Sequence, residues 1–331
     1  MRRRFIVSAL ALAVAGGVGH AQGAEAQVQP VETQPAPALS ALNPSAISQS
    51  AQTRPTEPDI VVTGKVNAKP EEVQRQANAI TNTSVKYRNP LAMFQDRVCP
   101  GILGMPSAMA QIMVDRIRRN AEQVGLKTAP LGDCQPNILV IFVRNGQGAI
   151  KELRNRQGHI FKDIPLAELQ EMAADSGPVH AWVNTIVRSR QGDALQGDNS
   201  ADLTRIPTLN VAQSQSHIFL AHRIDITNSV IMIDIPAIDG MSVVQLADYV
   251  TMRAFARTKP ISGDPAASTI LNLFDPDPSA ARPRALTDFD LAYLRAIYEG
   301  VDSLNAASKL ASINRKLRNV EAEKTAPDAA K

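Results

Sequence analysis

Val230-Ile231-Met232-Ile233-Asp234-Ile235 runs into Pro236-Ala237-Ile238-Asp239-Gly240-Met241 and then into Ser242-Val243-Val244-Gln245-Leu246-Ala247-Asp248-Tyr249-Val250. The first run is apolar and rich in β-branched residues, the pattern of a strand. The second contains Pro and Gly, which interrupt regular structure, and Ser242 offers an N-cap oxygen to a helix starting at Val243. From Val243 the apolar positions Ala247, Val250 and Ala254 recur at helical spacing. A strand therefore leads directly into a long helix. Before this unit, helices and antiparallel-capable strands are interleaved, and after it only helical patterns occur. That order predicts an α+β fold, with a mixed or antiparallel sheet, packed helices and a helical C-terminal lobe, because strict alternation of strand and helix is absent.

Working backwards, residues 137–143 are too continuously apolar for a half-exposed strand and predict a central one covered on both faces. Residues 70–83 and 107–125 read as helices. In the second, Met109, Ile112, Met113, Ile117, Ala121 and Val124 share a face, Arg116, Arg118 and Arg119 point outward, and Gly125 ends it. Short helices are expected at 149–156 and 165–174, a strand with the only tryptophan, Trp182, at 178–188, and further strand at 217–222 and 223–235. The polar stretch 189–216 reads as a long loop. Working forwards, helices are expected at 268–274, 287–298 and 304–317, with Thr287 and Asp290 spaced as a capping box. The globular part is thus read as residues 59–318, one domain of about 260 residues with two lobes meeting near residue 240. The charged, alanine-rich residues 319–331 read as a disordered tail.

The N-terminus directs export. Arg2, Arg3 and Arg4 precede an apolar run of about 14 residues, and Gly19-His20-Ala21 is a small-x-small cleavage pattern. A spanning helix needs about 20 apolar residues, so residues 1–21 read as a cleaved signal peptide, leaving no transmembrane segment and a periplasmic or secreted product. Residues 22–58 are rich in Pro, Ala and Gln, lack aromatic residues and read as a disordered linker. The net charge of +3 equals the three leader arginines, so the rest of the chain is balanced and carries no basic stripe for nucleic acid. Cys99 and Cys134 are the only cysteines and lack metal-site or redox spacing; in an oxidising compartment they are expected to pair.

Signatures of familiar chemistry are missing. The sequence holds no Gly-x-Ser-x-Gly elbow, no phosphate-binding glycine loop and no His-Glu-x-x-His, and suggests no cofactor and no metal. His217 and His222, five apart, fall on opposite faces of a strand and do not suit shared ligation. His180 shares a strand face with Trp182 and Asn184 and reads as a partly buried histidine with its hydrogen bonds met. His159 stands alone. Asp225, Asp234, Asp239 and Asp248 supply carboxylates that no spacing pairs.

Three resemblances add expectations. The phrase at 59–64, Asp-Ile-Val-Val-Thr-Gly, resembles a segment just after the leader of TonB-dependent outer-membrane receptors. The strand at 230–235, the helix from Ser242 and the capped helix from Thr287 resemble the order of parts in zincin-type metallopeptidases. In that likeness Gln245 stands at the first zinc ligand, Leu246 at the general base and Tyr249 at the second ligand, so the chemistry is lost. Val98-Cys99-Pro100-Gly101, Gly132-Asp133-Cys134, Gln245-Leu246-Ala247-Asp248-Tyr249 and Ala292-Tyr293-Leu294-Arg295 resemble a group of exported alphaproteobacterial proteins of unknown function.

Together these readings make the chain an exported envelope protein with a non-enzymatic binding or scaffolding role on a degenerate zincin-like frame. Its partner is expected to be a protein, peptide or glycan of the cell envelope. The alternatives are a peptide or cell-wall hydrolase with an unrecognised site, or an accessory of a TonB-dependent transporter. Gln245, Asp248 and Tyr249 are the binding residues on this reading, lining a groove beside their helix. The rival reading is that Gln245 and Asp248 cap or brace neighbouring backbone.

Overall fold

In the computed structural model, strand β5 organises the sheet by pairing with three others. The structure describes residues 68–82, 89–132, 134–161, 164–195, 208 and 219–325. The leader, the linker, the strand expected at 59–64, His217 and most of the polar stretch before it lie outside these. In chain order the elements are α1 (Pro70–Ile80), β1 (Ala92–Phe94), β2 (Pro100–Leu103), α2 (Ser107–Gln123), β3 (Ile138–Val143), α3 (Gly146–Arg156), α4 (Leu166–Ala174), β4 (Val179–Ser189), β5 (His222–Asp234), α5 (Val243–Phe255), α6 (Asp288–Tyr298), α7 (Ala306–Leu310) and α8 (Ile313–Thr325). Short 3-10 turns fall at Gly158–Phe161, Ile235–Ile238 and Ile270–Asn272.

Strand β4 runs antiparallel along β5 from Val179 opposite Ile233 to Ser189 opposite His222, occupying one edge of β5 throughout. The other edge is shared end to end by β1, parallel to residues 224–226, and β3, parallel to residues 229–234. Beyond β3 lies β2, also parallel. The fold combines helices with a sheet, as expected, but its strands are predominantly parallel and only β4 is antiparallel. Of the two expected arrangements, mixed or antiparallel, the sheet is thus mixed: α2 joins β2 to β3 as a helical crossover that returns the chain in the same direction, while β4, reached from β3 through α3 and α4, precedes β5 and pairs with it antiparallel.

Helices cover both faces. Ile138, Val140, Phe142, Val183, Ile231 and Ile233 face a large core with α1, α2, α5 and α6. Trp182 and Met232 face a smaller one with Ile150, Phe161, Ile164 and Ala173 from α3, the turn after it and the α4 region. This accounts for the continuous apolarity of 137–143. The large core draws residues from both sides of position 240, and all described residues belong to one compact unit. The helix expected at 304–317 is broken at Ala311 and Ser312, resumes as α8 at Ile313 and continues past Asn319, where Val320 packs into the core and Glu323 pairs with Arg295 at 2.7 Å. That packing, invisible in a charged sequence, extends the folded part beyond residue 318.

The N-terminal half of α2 departs from its expected orientation. Met109 and Ile112 are about half exposed, while Arg116 and Asn120 turn inward to α5. Gly125 does end the helix region, with φ of 80°, the left-handed conformation that glycine adopts freely.

The Thr287–Asp290 capping box forms as expected: the Asp290 amide donates to Thr287 Oγ1 and the Asp290 carboxylate accepts the Thr287 amide. The same carboxylate also accepts Thr269 Oγ1 at 2.5 Å and the Ile270 amide at 2.8 Å. Burial outweighs these donors and raises its pKa to about 6. The folded state thus holds a proton that the unfolded chain releases near pH 4, so this group's contribution is complete below the unfolded pKa and is lost as pH rises through about 6. We expect Asp290→Asn to abolish a fall in unfolding free energy of roughly 2–3 kcal/mol between pH 4 and 7. Urea denaturation of both proteins across that range measures it; parallel pH profiles would refute the assignment.

Candidate functional site

Helix α5 is sheathed on every side. From Leu246 to Phe255 each residue is buried, because α2 lies along one flank, the sheet along another and the Ile270–Asn272 turn with α6 along a third. Gln245 completes a capping box with Ser242, its Oε1 accepting the Ser242 amide, and its Nε2 donates to the Pro283 carbonyl. Asp248 is fully buried. Its carboxylate accepts Arg116 Nε and Nη2, each at 2.7 Å, Asn120 Nδ2 at 2.7 Å and the Leu286 amide at 2.8 Å. Tyr249 is buried edge-on against Phe274 and lies against the Arg253 guanidinium; burial raises its pKa. Gln245 and Asp248 thus brace neighbouring backbone and side chains, with Gln245 partly buried and Asp248 and Tyr249 enclosed by packing. The remaining carboxylates are dispersed. Asp225 pairs with Arg188 and Arg223, Asp234 accepts the Gly146 amide at 2.6 Å, and Asp239 is exposed.

A cavity of about 390 Å³ opens elsewhere, along the outer edge of β4. Its floor is Val179-His180-Ala181-Trp182-Val183. One wall is α4 and the residues after it, with Glu168, Glu171, Met172 and Asp175; the other is the end of α5 and the segment beyond, with Arg253, Arg257, Thr258 and Lys259. The second wall is fixed by α1, whose end grips it: Asn82 donates its amide to the Arg257 carbonyl and Lys259 donates to Ile80, both at 2.7 Å. An Arg257–Glu168 ion pair of 2.5 Å ties the walls together, and Arg257 also borders a second cavity that continues along β4 past Thr185 and Val187.

His180 is 1% exposed; neither ring nitrogen has a hydrogen-bond partner of standard geometry, and the Met172 backbone offers a looser one. Trp182 Nε1 and Arg253 Nε are likewise buried without partners. Buried polar atoms are seldom left so, and each costs free energy unless something supplies its bond. Gly146 permits the crowding around the imidazole: a Cβ there would come within 2.6 Å of His180 Cδ2 and 2.7 Å of Asp234 Oδ1. Burial lowers the His180 pKa against the pull of Asp175 and Asp234, so the ring is neutral near pH 7 and offers one donor and one acceptor.

The sequence placed His180 and Trp182 on one strand face but read the histidine as satisfied. Arg253, Glu168, Glu171, Asp175 and Lys259 went unnoticed, since nothing local marks residues that meet only across the end of a sheet. Of the other histidines, His159 is exposed and His222 is half-buried, with its pKa lowered by burial. Among the described residues no three His, Cys, Asp or Glu side chains cluster closely enough to hold a metal ion, and no helix is long and apolar enough to cross a membrane. Cys99 and Cys134 are joined, with Cα atoms 6.2 Å apart. No family model, curated protein or solved structure matches the chain.

Proposed function

We propose that the chain is an exported cell-envelope protein with a non-enzymatic binding role, and that the cavity along β4 is its ligand site. The leader and the cysteine pair support export. The observation that carries the binding role is a cavity lined by His180, Trp182 and Arg253, residues that each also hold a buried polar atom without a hydrogen-bond partner of standard geometry. The cavity lies in the size range of small-ligand sites. The zincin-like order of parts enters this reading as a frame only, with β5 leading into α5 and α6 capped behind it, and with α5 given over to packing. The hydroxyl group in the cavity's lining, Thr258 Oγ1, donates to the Met252 carbonyl and is not free to act as a nucleophile.

A residue kept for a ligand at the expense of stability has a signature. We expect His180→Leu to raise the unfolding free energy by about 1–2 kcal/mol, since an unpaired buried polar group is replaced by an apolar one. The same variant should lose binding. Trp182, the sole tryptophan, reports occupancy through its fluorescence on titration with a panel of short peptides and cell-wall glycan fragments. A saturable response in the wild type that vanishes in a more stable His180→Leu is the expected result. A destabilised variant, or one that binds as well as the wild type, would remove the reading.

A further inference from the structure

The cavity's floor is backbone as much as side chain. β4 pairs with β5 alone, and among the described residues the main chain of Val179–Val183 makes no backbone hydrogen bond outside that pairing. Among the described residues only the far end of β4 is covered, where the chain turns back so that Ser189 donates to the Asp193 carbonyl and Arg188 bridges Ala194. An unpaired edge is a template for another strand, and proteins ordinarily blunt it. Here, among the described residues, the Val179–Val183 edge is left unpaired and lines a cavity.

The walls differ in sign. Leu169, Met172 and Ala173 pack with Trp182 on one face of the sheet, which sets α4 and its carboxylates Glu171 and Asp175 on that side. α5 packs with Val183 on the opposite face, which sets Arg253 and Lys259 on the other. A strand laid against β4 would send successive side chains alternately toward the two walls. Resting on the binding role proposed above, we infer that the ligand is an extended polypeptide segment that adds to the β4 edge, with basic residues at one parity facing Glu171 and Asp175 and acidic residues at the other facing Arg253 and Lys259. Its main chain takes up the free amides and carbonyls of β4, its side chains match the walls, and the Arg257–Glu168 pair marks the Val183 end of the paired stretch.

The test uses the full mature chain at low ionic strength and a blocked peptide of alternating lysine and glutamate, about eight residues long, an ordinary strand length. Trp182 emission should change saturably. A peptide of the same composition, with its lysines and glutamates in two blocks, should bind about tenfold more weakly, because half its charges meet the wrong wall. Methylating the backbone nitrogens of alternate residues should cost about tenfold or more in one of the two registers and little in the other. Glu171→Lys combined with Asp175→Asn, both exposed positions, with the asparagine still able to accept the Gly177 amide as Asp175 does, should weaken the alternating peptide by about tenfold while leaving the melting temperature unchanged. Binding that ignores both N-methylation registers, equal binding of the block peptide, or no binding of any of these peptides would overturn the inference. None of those outcomes touches the His180→Leu titration, which stands or falls on its own panel.

Discussion

Asp248→Ala should lower the unfolding free energy by about 3–5 kcal/mol, the largest effect expected from any single substitution in this protein. The carboxylate is fully buried and accepts four hydrogen bonds, two of them from one guanidinium. Its loss leaves Arg116, whose side chain is 22% exposed, with its charge partly buried and unpaired. It also frees the Leu286 amide and the inward-facing Asn120. Arg116 gains in basicity from the same contact, its hydrogen bond to Asp248 raising its pKa. Because one partner's removal costs more than the pair contributes, Asp248→Leu with Arg116→Met should recover much of the deficit. Urea denaturation of the two single variants and the double variant measures the coupling. A loss below about 1 kcal/mol for Asp248→Ala would mean that the pair is only a surface contact.

Removing the Cys99–Cys134 bridge should cost about 3–4 kcal/mol, on the chain-entropy account of a cross-link closing a loop of 35 residues. The loop contains β2 and all of α2, so the bridge holds the helix that carries Arg116 and Asn120 against α5. Its neighbourhood is already ordered by Asn137, whose side chain accepts the Cys99 amide and donates to the Arg97 carbonyl. Those hydrogen bonds should keep the native fold populated in Cys99→Ser/Cys134→Ser, so that the deficit appears as a lower denaturation midpoint with an unchanged slope. A double-serine variant as stable as the native protein would show that the bridge adds nothing to what Asn137 and the β2–β3 pairing provide.

The sequence was most legible where chemistry is local. Ser242, Thr287 with Asp290, and Gly125 announce helix ends through their own side chains or lack of one, and the structure has those boundaries within a residue or two. The strand read at 178–188 falls on β4, and unbroken apolarity placed β3 inside the sheet, between β5 and β2. Strand direction was not legible, because a strand's composition does not record which way its neighbours run. Nor was the fate of Arg116: spacing put it with Arg118 and Arg119 on a solvent face, and only the buried Asp248 on a distant helix explains its turn inward. The candidate site lay furthest from view. Its floor is one strand, but its walls come from the α4 region and from residues beyond α5, and what joins them is their position at an open sheet edge, a property of topology that no window of sequence contains.

The three-way pairing of β5 also has a consequence in time. Among the described residues β1 and β3 have no hydrogen-bonded contact with each other and meet only through β5, and β4 has no other strand partner. Residues 222–234 arrive after about two thirds of the chain has been made. Until then β2 and β3 can pair, but β1 and β4 have nothing to pair with, and the long sequence separations involved make sheet closure a slow, late step. A chain so ordered stays open while it is being synthesised, the condition in which a polypeptide can still be threaded through a narrow pore, and locks only when its central strand has emerged.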